Sequence, residues 1–94
     1  METVTQGEEQ EAKAKTFEIN HDGDLKSFVY LAEETVSAVI VEAIHRFRLA
    51  AQPHQLGLFK AGAADPLDPN KTLRKAGVRP DEILILRPIV VQGG

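Results

Sequence analysis

The residue types that do most covalent and metal chemistry are thin in this sequence. There is no cysteine, which removes disulfides, thiolate nucleophiles, zinc–thiolate sites and thioester-forming active sites in one step. The histidines are His21, His45 and His54. They fall in a turn, near the end of a helical pattern and in a loop, at no spacing that suits a metal. Asp22-Gly23-Asp24 has a calcium-like flavour but lacks the further oxygen ligands and the closing glutamate of a calcium loop, so it reads as a turn. Ser27 and Ser37 have no nucleophile-elbow context. No catalytic and no metal-binding residue is expected. What remains is Gly93-Gly94, where the sequence stops. Two glycines at one chosen place arise by chance in roughly 0.5% of chains, so the pair gains weight only from the elements before it.

Composition narrows the setting. The chain has 94 residues, 43% apolar and 27% charged, an ordinary balance for one small globular domain with little room for a deep catalytic pocket. A formal charge of −3 speaks against the basic face of a nucleic-acid binder. No apolar run reaches the ~18–20 residues of a membrane-spanning helix. The start, with Glu2, Glu8, Glu9 and Glu11, has neither the basic region nor the apolar stretch of a signal peptide. The expectation is a cytoplasmic domain, monomeric when free, with no nucleic-acid or membrane partner.

The first 15 residues carry too few apolar side chains to offset the ~1–2 kcal/mol per residue that ordering backbone costs, and are expected to form a disordered tail. Thr16-Phe17-Glu18-Ile19-Asn20 alternates, predicting a strand with Phe17 and Ile19 inward. Asp22-Gly23 supplies a hairpin turn, and Lys26–Leu31 the second strand. Val36, Val39, Ile40, Ala43, Ile44 and Phe47 then form one apolar helical face, behind Thr35 as N-cap; this helix is expected over about Val36 to Leu49, stopped by Pro53. Gln55–Lys60 reads as a short strand with Leu56 and Leu58 on one face. A loop with Pro66 and Pro69 has room for a short edge strand near Leu67. Thr72–Val78 predicts one helical turn anchored by Leu73 and Val78, and Glu82–Arg87 a final strand.

This ββαββ order is that of the β-grasp fold, an α+β mixed sheet covered by one helix. With the Thr35-capped helix, Leu56-Gly57-Leu58-Phe59-Lys60-Ala61-Gly62, Lys71-Thr72-Leu73, Ile83-Leu84-Ile85-Leu86-Arg87 and the closing Gly93-Gly94, the sequence resembles the ubiquitin-like proteins over Thr16 to Gly94. Among them it is most similar to the bacterial ubiquitin-like modifiers. The expected division is a tail over 1–15, the β-grasp domain over 16–87 and a flexible tail over 88–94.

The resemblance implies a protein modifier rather than an enzyme. The Gly94 carboxylate would be adenylated by an E1-like activating enzyme, which uses the ATP; this chain needs no cofactor of its own. An E2-like conjugating enzyme would pass it to target proteins, and a deconjugating or processing protease would remove or trim it. Glycine has no Cβ, so Gly93 and Gly94 can be threaded through a narrow cleft. Arg87, Pro88, Ile89, Val90, Val91 and Gln92 form the stretch that partner enzymes would recognise; its β-branched residues suit strand addition. A sulfur carrier with a terminal thiocarboxylate, or a non-covalent interaction module, is the alternative on the same fold.

The last strand is apolar on both faces although only one helix can cover it. Phe59, Leu84 and Leu86 are therefore expected to lie partly exposed on the second face as a hydrophobic docking patch, unless the loop near Pro66–Pro69 covers them. The resemblance places the family's main recognition patch here, its central position falling at Leu58 or Gly57.

Overall fold

In the computed structural model, which describes residues 15–89, the alternating run beginning at Thr16 forms strand β1 (Thr16–His21). Asp22 and Gly23 take positive φ angles of 56° and 90°, the pair of values that lets a two-residue turn follow the twist of its strands. Asn20 Oδ1 accepts the Gly23 N–H at 2.9 Å. Strand β2 (Asp24–Val29) returns antiparallel, pairing Phe17 with Phe28 and His21 with Asp24. It begins and ends earlier than the run of β-formers suggested, because the tight turn dictates register. Tyr30 leaves the sheet, its hydroxyl donating to the Val78 carbonyl at 2.7 Å.

Helix α1 (Val36–Phe47) buries Val36, Val39, Ile40 and Ala43 against the sheet. Its free first-turn amides are all answered. Thr35 Oγ1 accepts from Ala38 N–H at 3.2 Å, while Val36 and Ser37 N–H donate to the carbonyls of Lys71 and Pro69 at 2.9 and 3.0 Å. The helix stops at Phe47 rather than Leu49 because Arg48 turns left-handed (φ 59°, ψ 50°). Arg48 N–H then reaches His45 O, and Leu49 N–H reaches Ile44 O at 2.9 Å, a helix-ending pattern that glycine usually supplies.

A 3-10 turn at Pro53–Gln55 leads into β3 (Leu56–Lys60). The chain then runs irregularly to β4 (Ile83–Pro88). The sheet order is β2-β1-β4-β3, with β1 and β4 parallel and β3 antiparallel to β4. No edge strand forms near Leu67; a single bond from Leu67 N–H to Leu58 O at 2.8 Å ties that loop to β3. Residues 72–78 make tight turns closed by Gly77 (φ 86°), and Leu73 and Val78 are both buried in the core as anchors. No helix of the described residues is long and apolar enough to cross a membrane.

The face of β4 is the main correction. Leu84 and Leu86, expected on the outer face, are 0% and 1% exposed and belong to the core with Phe17, Ile19 and Leu58, whereas Ile83 is 42% exposed. Alternation places Ile83, Ile85 and Arg87 together on one side of β4. Parallel pairing of Ile19 with Leu84 decides which side that is, because Ile19 already faces the helix. Leu84→Ala should therefore cost about 2–5 kcal/mol and Ile83→Ala under about 1 kcal/mol in urea unfolding; equal costs would contradict this facing.

Beside the cap, burial and then the Glu42 carboxylate raise the pKa of Glu34 above its ordinary value. A raised folded-state pKa means the charged form is disfavoured in the fold. The penalty is absent where Glu34 is protonated in both states and grows as pH rises through its titration. Glu34→Gln should raise the unfolding midpoint at neutral pH, and that gain should vanish below the usual carboxylate range.

Candidate functional site

The site is the far end of β4. Of the tail residues singled out from the sequence, Val90, Val91, Gln92, Gly93 and Gly94 lie outside the described residues. Arg87 and Pro88 do not belong to a tail. Both are strand residues, with Gly57 facing Arg87 and Leu56 facing Pro88. A proline is tolerated there because β1 pairs only with Ile83–Ile85, so β4 has one hydrogen-bonding neighbour at Pro88 rather than two. Ile89 follows the same path, its N–H donating to Gln55 O at 3.0 Å. Pro88 and Ile89, expected in the tail, are thus both held against Gln55 and Leu56. At the other end the Lys15 carbonyl, just before β1, accepts from Tyr30 N–H at 2.7 Å.

The expected docking patch is also corrected. Leu84 and Leu86 are core residues, and Phe59, which does lie on the outer face, is only 4% exposed. Its cover is local. The Arg87 guanidinium stands over the Phe59 ring at 3.9 Å from the centroid. Pro66, brought in by the bond of Leu67 to Leu58, and Ile89 close the space above Gly57. Of the two residues aligned with the family's recognition position, Leu58 is buried in the core and Gly57 has no side chain to present. The outer face at this end therefore carries Ile83, partly exposed Ile85, and Arg87 stacked on Phe59.

Other candidates stay apart. His21 Nδ1 lies 3.1 Å from the Leu86 carbonyl and its ring packs on Phe47. Arg46 donates to Ser27 O at 2.7 Å while covering Phe28, and Arg74 pairs with Glu33 at 2.7 Å. Among the described residues no group of three or more His, Asp or Glu gathers as a metal would require.

No protein-family profile matches this sequence, and no curated protein does. Solved structures do. The chain is similar to a ubiquitin of Caldiarchaeum subterraneum, with a TM-score of 0.66 and 22% identity over 85% of this chain and 99% of that one. It is also similar to a computationally designed protein based on human erythrocytic ubiquitin, solved in solution by NMR, with a TM-score of 0.67 and 28% identity over 84% and 96% of the two chains. The chain has the ubiquitin-like β-grasp fold.

Within this ubiquitin-like fold, sequence reasoning missed the role of Gly57. A glycine inside a strand marks a bulge or a close approach, and that signal was present. The stacked pair beside it is open to test. Arg87→Ala should lower stability by about 1 kcal/mol in urea unfolding, and by much less when Phe59 is already leucine; an equal loss in both backgrounds would mean the ring is not what holds Arg87.

Proposed function

We propose that this ubiquitin-like protein is a modifier whose Gly94 carboxyl group, free as it stands or after trimming of a following segment, is activated and joined to other proteins. The observation that carries the reading is the ubiquitin-like fold leading, through β4, directly into a segment that holds Gly93-Gly94. A carboxylate is a poor acyl donor because its leaving group is oxide. Adenylation by an E1-like enzyme, with loss of pyrophosphate from ATP, replaces that with a good leaving group; the partner supplies the nucleophile and the oxyanion stabilisation. An E2-like enzyme then carries the acyl group to a target nucleophile, and a protease of the same system reverses the bond or exposes Gly94.

This chain's own contribution is positional. Its core holds β4 rigid, and glycine at the last two positions lets the backbone pass where a Cβ would be blocked. The setting that fits best is that of the bacterial ubiquitin-like systems, in a cytoplasm. Incubation with ATP and the E1-like enzymes of its own organism should yield an adenylate and an enzyme-linked adduct, both lost when Gly94 is deleted. Absence of any ATP-dependent adduct would overturn the proposal. Intact mass showing sulfur in place of one carboxyl oxygen, without conjugates, would assign the chain to the sulfur carriers instead.

A further inference from the structure

We infer that Gly57 and Ile89 form a clasp that fastens the root of the C-terminal segment, so that the stretch another protein can draw into a cleft begins at Val90. Three contacts surround Gly57. A Cβ placed there would stand 2.7 Å from Ile89 Cγ2, 3.0 Å from Pro66 Cβ and 3.2 Å from Phe59 Cε1. Ile89 therefore lies against bare backbone, in a space that no other residue type at position 57 leaves open.

The backbone of Ile89 is held as well. Its N–H donates to Gln55 O at 3.0 Å. That carbonyl is itself set by the 3-10 turn, where Gln55 N–H donates to Gln52 O at 2.9 Å and Gln52 N–H donates to Gln55 Oε1 at 2.9 Å. Two independent contacts, one apolar and one polar, thus meet on the same residue. Ile89 forms a wall shared by two grooves: one with Phe59, Pro66 and Arg87 on the outer face, the other with Ile40, Leu56 and Pro69 beside the helix.

The consequence is one of reach. With Ile89 fastened, the five residues Val90–Gly94 extend at most ~17–18 Å from the body. Released from Pro88 onward, the chain would extend ~7 Å further and bring Pro88 and Ile89 within a partner's grip. The alternatives to a steric clasp are also constrained. The Ile89 Cγ2 methyl is one bond from its Cβ, the Pro66 ring is stiff, and the Phe59 ring lies under Arg87. A methyl added at residue 57 must therefore displace Ile89 first. The clasp is a property of the folded chain and holds whether or not Gly94 is ever activated.

Amide hydrogen exchange on the full chain tests it. The Ile89 amide should be protected, and Gly57→Ala should lower that protection by about tenfold or more through local opening, well beyond any fall at the Ile19 amide, which follows global stability. Ile89→Ala vacates the space, so Gly57→Ala should destabilise the Ile89→Ala background much less than the natural chain. An Ile89 amide that exchanges at the rate of an unstructured peptide of the same sequence, or whose protection ignores Gly57→Ala, would overturn the inference. So would a Gly57→Ala chain that fails to fold even with alanine at residue 89, since Pro66 and Phe59 would then account for the tight fit.

Discussion

Strand β4 is hydrogen-bonded on both edges, to β1 in parallel and to β3 in antiparallel, and the rest of the molecule is arranged around keeping it there. Its two leucines lie under the helix among Ile19, Leu58 and Val39. At ~1.5–3 kcal/mol for each fully buried aliphatic side chain, Leu84 and Leu86 alone contribute an amount comparable to the net stability of a small domain. The irregular stretch between β3 and β4 serves the same end from outside. Lys71 and Pro69 carbonyls take up the first amides of the helix, and Leu73 and Val78 close the core below it. Lys60 Nζ ties the end of β3 to the Gly77 carbonyl at 2.6 Å and to Glu82 at 3.4 Å.

Most of this was legible in the residues. The period-2 run at Thr16, the Asp22-Gly23 turn, the Thr35 cap and the apolar stripe from Val36 to Phe47 each state their local structure through one physical rule. Their order then states the fold. What alternation does not state is which side of a doubly apolar strand faces inward. Ile83-Leu84-Ile85-Leu86 satisfies both facings equally, and only pairing across 65 residues of sequence separation, from Ile19 to Leu84, selects one. Arg48 was illegible for a similar reason. A glycine there would have announced the helix end, but an arginine forced left-handed is visible only once Leu49 and Ile44 are seen to bond.

The candidate site was read less well than the fold, and the errors share a cause. Arg-Pro after a strand looks like an exit from the sheet, because proline donates no hydrogen bond. Here β1 has already ended, so the missing donor is not asked for, and the strand runs on through Pro88. Phe59 was correctly placed on the outer face, but its exposure depends on neighbours that are distant in sequence: Arg87, Pro66 and Ile89. The result is a domain whose outer face is partly closed at the end from which the C-terminal segment departs.

The central claim is that Gly94 becomes covalently joined to other molecules, and tagged chain purified under denaturing conditions from its own cells measures this directly. Arg79 and Arg87 are each followed by proline, where trypsin cuts poorly, so the branched peptides are best released with a protease of broad specificity before tandem mass spectrometry. The account predicts peptides in which the Gly94 carbonyl is bonded to a side chain of another protein. Recovery of the chain solely in free form, with its partners removed by denaturant, would contradict it.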